Sequence, residues 1–338
     1  SDGNEWNRFS DEKNNVELDK YIKNLPFQKA KHRKFQSKKV SVDENVLIKE
    51  TKISTQNAFG KILDQYAKNN TDFSRRILTT SPDVSVSTNL GPWINRKGLF
   101  SRKDSSDTFK DRKIPSAQKW IFSSQGQHIE LGIAEMNLFL MLGAAGLSHE
   151  FFGERLFPIG TVYDPFISRG LDAMNYACYQ DARFMIVGTP SGISLAPEGG
   201  AHQSIATPLI GISQPGLLSF EPAFADELAL IMNYGFNYLQ DEAGGSIYLR
   251  LTTRSIDQPM REIDNELKNN IISGGYWLKK PGSNPEVIIV YQGAVASEAI
   301  ESTALLGEKF KDSGVLSITS SDNLFRNWKN QTLSFKNK

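Results

Sequence analysis

Phe157-Pro158-Ile159-Gly160-Thr161-Val162-Tyr163 reads as a strand, Pro165 to Tyr179 as a helix, and Arg183-Phe184-Met185-Ile186-Val187-Gly188 as a second, buried strand. A strand, a crossing helix and another apolar strand form a right-handed parallel unit. The pattern continues outward. Leu217-Leu218-Ser219-Phe220 is a further strand, Asp226 to Tyr238 a helix, and Ser246 to Leu251 a closing strand. Upstream, Ile133 to Leu147 is an apolar helix whose small residues Gly143, Ala144, Ala145 and Gly146 suit close packing. Arg76-Ile77-Leu78-Thr79-Thr80 is a short strand ending at Ser81-Pro82-Asp83. Ser54-Thr55-Gln56-Asn57 offers N-caps to a helix with Ala58, Phe59, Ile62, Leu63 and Tyr66 on one face, stopped by Asn69-Asn70. Residues 91–125 read as a long polar loop holding Trp93 and Trp120. The expected class is α/β, a parallel sheet with helices on both faces. After a composition break, Val287 to Tyr291 is a strand, Gly293 its turn and Ser297 to Phe310 an amphipathic helix, the opening of another α/β domain. The expected division is a charged linker over 1–53, a main domain over 54–257, a linker over 258–273 and an incomplete domain over 274–338.

Composition narrows the function classes. Among 338 residues, 39 Lys and Arg against 38 Asp and Glu leave a net charge of +1, which argues against nucleic acid or an anionic membrane as the main partner. The basic cluster of Lys29, Lys31, Arg33, Lys34, Lys38 and Lys39 reads as a solvated linker, with Asp43, Glu44 and Glu50 nearby. A single cysteine, Cys178, excludes a disulfide framework and a Cys-rich zinc site and fits a reducing cytoplasm. No apolar run reaches ~18 residues, so no membrane span is expected. The start has neither a basic region nor an apolar core of a signal peptide, and both ends read like cuts through a longer protein.

Three constellations carry chemistry. Gly126 to Asn137 places Glu135 at the start of the most apolar helix. That carboxylate either complements the helix dipole or needs a partner to offset its burial. Ala196 to Gln203 contains Glu198, the pair Gly199-Gly200, which lets a ligand approach the backbone, and His202, an acid/base or a structural histidine. Its spacing matches no phosphate-binding glycine loop. Ser81 to Leu90, with Asp83, follows a strand's C-terminal end, the edge where open α/β sheets bind ligands; a plain polar turn fits as well. The four histidines show no metal-ligand spacing.

Together these segments resemble the pyrimidine-binding domain of the thiamine-diphosphate-dependent transketolase superfamily, in particular the homodimeric pyruvate dehydrogenase decarboxylating component and its 2-oxoacid relatives. Gly132-Ile133-Ala134-Glu135 is similar to the motif whose glutamate contacts the cofactor's aminopyrimidine. Phe157-Pro158 through Asp164-Pro165-Phe166 resembles the strand and turn whose aromatic stacks on that ring, and Glu198-Gly199-Gly200-Ala201-His202 the loop with the active-site histidine. The resemblance runs from about Thr55 to Trp328. It implies that Glu135 exchanges a proton with the pyrimidine, that Phe166 stacks on it, and that His202 is acid/base toward a substrate oxygen or a lipoyl group. Asp83 and Glu198 would hold substrate or partner-subunit groups. The implied partners are a second copy of the chain, a small 2-oxoacid and a lipoyl-bearing dihydrolipoamide acyltransferase. The G-D-G motif that holds Mg²⁺ and diphosphate in the family is absent, so the chain would hold the pyrimidine half of the site, with Mg²⁺ bound through another domain. Val84 stands where the pyruvate enzymes tend to have an acid, and Ser85 to Leu90 and His202-Gln203 read more like transketolase. Ketol transfer, with phosphate held by cations such as Arg169, Arg183 or Arg254, is the alternative activity, and a non-catalytic scaffold the alternative role.

Overall fold

The computed structural model describes residues 12–25, 35–44, 46–103, 111–115, 119–307 and 309–336. Its centre is an eight-stranded sheet in the order β4-β3-β5-β2-β6-β7-β9-β8. These strands are β2 (Ile77–Ser81), β3 (Leu99–Phe100), β4 (Phe122–Ser123), β5 (His128–Glu130), β6 (Phe157–Val162), β7 (Met185–Gly188), β8 (Leu217–Phe220) and β9 (Ser246–Arg250). Every pairing is parallel. All C-terminal strand ends therefore share one edge.

Side chains alternate across the sheet, and both faces are covered, so in the central strand β7 both sets are buried and apolar. Met185, Val187, Ile247 and Leu249 point to one core with Phe59, Ile62 and Leu63 of α2 (Thr55–Asn69) and Leu228, Ile231 and Met232 of α6 (Ala225–Tyr238). Val162, Ile186 and Tyr248 point to the other, with Leu138, Phe139 and Leu142 of α3 (Glu135–Gly146) and Met174 and Ala177 of α4 (Leu171–Tyr179). Ser54 caps α2 by accepting from the Asn57 N–H at 3.1 Å, and Asn70 ends it in a left-handed conformation, φ 48°.

The structure differs from the sequence expectation in four places. The 91–125 stretch is not one loop. Gly91–Lys97 is a short helix that buries Trp93, and β3 and β4 extend the sheet at its edge. Two-residue strands carry no periodicity, which is why pattern reading missed them. Residues 104–110 and 116–118 lie outside the described residues. The predicted helix over Pro165–Tyr179 is a 3₁₀ segment, Asp164–Gly170, followed by α4. Gly170 marks the join: a Cβ there would lie 2.3 Å from Phe139 Cδ2 and 2.8 Å from the Glu135 carbonyl. The charged N-terminal stretch also has structure. Helix α1 spans Glu12–Asn24, and Gln240 accepts from the Val40 N–H at 2.7 Å while donating to its carbonyl at 3.1 Å. β1 (Lys52–Ile53) pairs antiparallel with β10 (Ile256–Asp257). Of the basic cluster, Lys29, Lys31, Arg33 and Lys34 lie outside the described residues; Lys39 pairs with Asp241 on the surface.

Residues 258–273, read as a linker, include α7 (Asn265–Ser273). Beyond it, β11 (Gly275–Lys279), β12 (Ile288–Gln292) and β13 (Gly314–Ile318) form a mixed sheet in the order β11-β13-β12, with α8 (Ala296–Leu306) and α9 (Ser321–Lys336). Among the described residues no helix is long and apolar enough to cross a membrane.

The fully buried Phe236 ring makes edge contacts with Tyr66, Phe73 and Phe157 that join α2, α6 and β6. Phe236→Ala is expected to lower stability by about 3–5 kcal/mol in urea denaturation; a loss under ~1 kcal/mol would show that this cluster does not hold the first core together.

Candidate active site

Glu135 is the first residue of α3 and is almost fully buried. Its carboxylate has a partner: Arg169 Nη1 donates to Oε1 at 3.0 Å. The helix start and this cation together offset the cost of burying the charge. Arg169 lies on the 3₁₀ turn three residues after Phe166. Three residues per turn puts both on one side, and the guanidinium carbon sits 4.0 Å from the Phe166 ring centre. Phe166 in turn tilts against Tyr163, 6.0 Å away, whose hydroxyl donates to Ser87 Oγ at 2.9 Å. The Tyr163 ring makes an edge contact with His202 at 4.8 Å. His202 Nδ1 is buried without a hydrogen-bond partner among the described residues, and Nε2 lies 3.8 Å from Glu198 Oε2. Glu135, Phe166 and His202 are thus joined in one contact chain past the C-terminal end of β6. Glu198 belongs to it through His202.

Asp83 lies at the end of β2, where its backbone has φ 63°, its side chain is exposed and its N–H donates to Glu130 Oε1 at 2.8 Å. Glu130 was not singled out in the sequence. It also accepts from the Leu131 N–H at 3.1 Å and from Ser85 Oγ at 2.5 Å, and Ser85 Oγ lies 3.0 Å from Nε2 of the fully buried His128. Burial would raise the Glu130 carboxyl, but His128, Ser85 and the Asp83 N–H hold it below its ordinary value. This is not a hydrolytic triad: the other imidazole nitrogen meets Thr79 at 2.9 Å, not an acid. The cluster fixes the 82–90 loop, and so the place of Ser87 against Tyr163.

A second unforeseen group lies beneath the site. Asp164, the first residue of the 3₁₀ turn, has no solvent exposure. Tyr248 donates to its Oδ1, Thr207 of α5 (Thr207–Ser213) to Oδ2 at 2.5 Å and Arg250 Nε to Oδ2 at 3.4 Å. Arg250 also binds Glu221 and donates to Ser204 Oγ at 3.3 Å. Burial raises the Tyr248 hydroxyl well above its ordinary value, with Asp164 adding to the shift, so it stays a donor. Gly188 is required beside this group, because a Cβ there would meet Asp164 Oδ1 at 2.1 Å.

Of the arginines considered for phosphate, only Arg169 stands in this constellation. Arg183 is buried against Asp181 and the Asp241 carbonyl, and Arg254 pairs with Glu298. Among the described residues no group of three or more His, Cys, Asp or Glu side chains is arranged to hold a metal ion. A cavity of about 630 Å³ opens elsewhere, lined by Val46, Ile48, Tyr66, Leu230 and Arg261, and borders none of the candidate site residues.

Residues 37–259 match the family profile described as the pyruvate dehydrogenase E1 component middle domain. The chain belongs to this family. It is 26% identical over 281 residues to the pyruvate dehydrogenase E1 component of Escherichia coli K12, covering 81% of this chain and 31% of that protein. It is 27% identical over 253 residues to that of Mycolicibacterium smegmatis, covering 72% and 27%. The chain therefore spans about a third of the length of these pyruvate dehydrogenase relatives. The fold is similar to transketolase from Leishmania mexicana, with a TM-score of 0.66, 17% identity and coverage of 83% of this chain and 36% of that one. A split-gene transketolase aligns with a TM-score of 0.52 and 22% identity over 79% and 71% of the two chains. The family is thiamine-diphosphate-dependent, and its profile begins at residue 37, inside the stretch read from sequence as linker.

Because Glu130 is held below its ordinary 4.5, its hydrogen-bonded carboxylate adds stability above that pH, lost as pH falls through the lowered value. Glu130→Gln should lower the urea midpoint at pH 7, and the gap to wild type should close as the pH drops below about 4.5. A gap that is constant with pH would show that the charge is not what holds the loop.

Proposed function

We propose that this chain supplies the aminopyrimidine-binding half of the thiamine-diphosphate site in a pyruvate dehydrogenase decarboxylating component. The observation that carries the reading is the line Glu135, Arg169, Phe166, Tyr163, His202 along the C-terminal sheet edge, within a domain of that family. These residues fit the pyrimidine: a buried carboxylate, an aromatic ring within one guanidinium's width of it, and a buried imidazole nitrogen without a partner.

When bound, thiamine diphosphate supplies the electron sink for decarboxylation. The chain's own residues orient it and manage protons. Glu135 holds a proton at the pyrimidine ring nitrogen. Phe166 sets the ring's angle by stacking. His202 gives or takes a proton at the substrate oxygen, or at the lipoyl dithiolane of the acyltransferase partner, with Glu198 orienting its Nε2. Asp83, exposed on the adjoining loop, faces substrate or a partner-subunit group. Mg²⁺ and the diphosphate are held by another domain, and two copies of the protein complete the sites at their interface. Of the cations considered for a ketol phosphate, Arg183 and Arg254 are committed to acids away from the site, which leaves Arg169.

In the assembled enzyme, Glu135→Gln should slow pyruvate decarboxylation by roughly 10²–10⁴-fold with little change in melting temperature. Near-normal turnover would remove Glu135 from the mechanism. His202→Ala should impair acyl transfer to the lipoyl partner more than turnover with an artificial electron acceptor; equal losses in both assays would count against the acylation role.

A further inference from the structure

Arg169 touches both groups assigned to the pyrimidine. Its guanidinium is a flat cation with N–H donors. It lies on the Phe166 ring at 4.0 Å and bonds the Glu135 carboxylate at 3.0 Å. A flat heterocycle that stacked on Phe166 and bonded Glu135 would need the same space. On that face of Phe166 the arginine and such a ring compete for one place. Resting on the reading above, we propose that Arg169 is an internal plug of the pyrimidine seat, which must let go of Glu135 before the cofactor ring can enter.

The mechanics support a movable plug. The Arg169 side chain is 54% exposed, whereas Glu135 is 8% exposed. The cation therefore already borders water, whereas the acid does not. The backbone beneath is not free. Gly170 is packed against Phe139 and the Glu135 carbonyl, and Asp164 is pinned at the other end of the turn. Only the side chain needs to move. In the closed form the plug keeps the buried carboxylate paired, so the empty site is stable. Apparent affinity is reduced by the fraction of molecules in which the seat is open.

The test is binding, not turnover. Thiamine diphosphate with Mg²⁺ is titrated into the intact protein and into its Arg169→Met and Arg169→Gln variants by equilibrium dialysis. Arg169→Met keeps the length of the side chain but loses the ion pair and the cationic stack. It should bind on the order of tenfold more tightly than wild type, with Arg169→Gln between the two. In thermal melts without cofactor, Arg169→Met should be the less stable protein, and its melting temperature should rise more than that of wild type on adding cofactor. If both variants fold and bind as tightly as wild type or more weakly, the plug is refuted and the cofactor site stands. If no form binds, wild type included, both the plug and the thiamine reading fall.

Discussion

Asp164 is shut off from water, and its carboxylate is gripped from three sides. Tyr248 and Arg250 come from β9, and Thr207 from the helix after the His202 loop. A carboxyl group in such a place needs this full set of donors, and removing any one leaves a buried polar group short of a partner. The contact fixes the first residue of the turn that carries Phe166 and Arg169. Through Thr207 and Ser204 it also fixes the far end of the loop that carries His202. One buried carboxylate thus sets the distance between the two halves of the candidate site.

The parallel sheet explains why the groups converge at all. With every strand pointing the same way, the loops after β2, β5, β6, β7 and β9 leave from one edge, the edge at which open α/β sheets take ligands. The same edge meets the C-terminal unit. The Glu221 N–H donates to the Thr319 carbonyl at 2.8 Å, and the buried Glu227 accepts from Tyr276 of β11 while its carboxyl is pushed up by burial. Arg250 therefore connects the floor of the site, through Glu221, to the residue that follows β13 in the second sheet.

Much of the fold was legible because its core strands are compact apolar runs and helices such as α2 carry a clear period. β8 was read residue for residue, and β6, β7 and β9 to within two residues. The edge strands β3 and β4 were not, because two residues hold no pattern. The 164–170 turn was read as part of one helix over Pro165–Tyr179; the join at Gly170, where the backbone lies too close to Phe139 and the Glu135 carbonyl for a Cβ, is a tertiary fact that the local sequence does not carry. Glu135, Phe166 and His202 were singled out as candidates through motif resemblance, and the structure brings them into one contact chain. Asp164, Tyr248 and Arg250 were missed because their partners lie more than eighty residues apart in the chain, beyond any local signal. Arg169 was noted only as one of three cations, and nothing in its neighbourhood of sequence shows that it caps an acid thirty-four positions away.

The central claim is that the acid at the head of α3 and the aromatic on the 3₁₀ turn form the seat of the thiamine pyrimidine. A crystal structure of the assembled protein with thiamine diphosphate bound tests it most directly. The account predicts the pyrimidine ring against the face of Phe166, with its ring nitrogen within hydrogen-bond distance of Glu135 and Arg169 turned out to solvent. A ring bound elsewhere, with Arg169 still on Phe166, would contradict it.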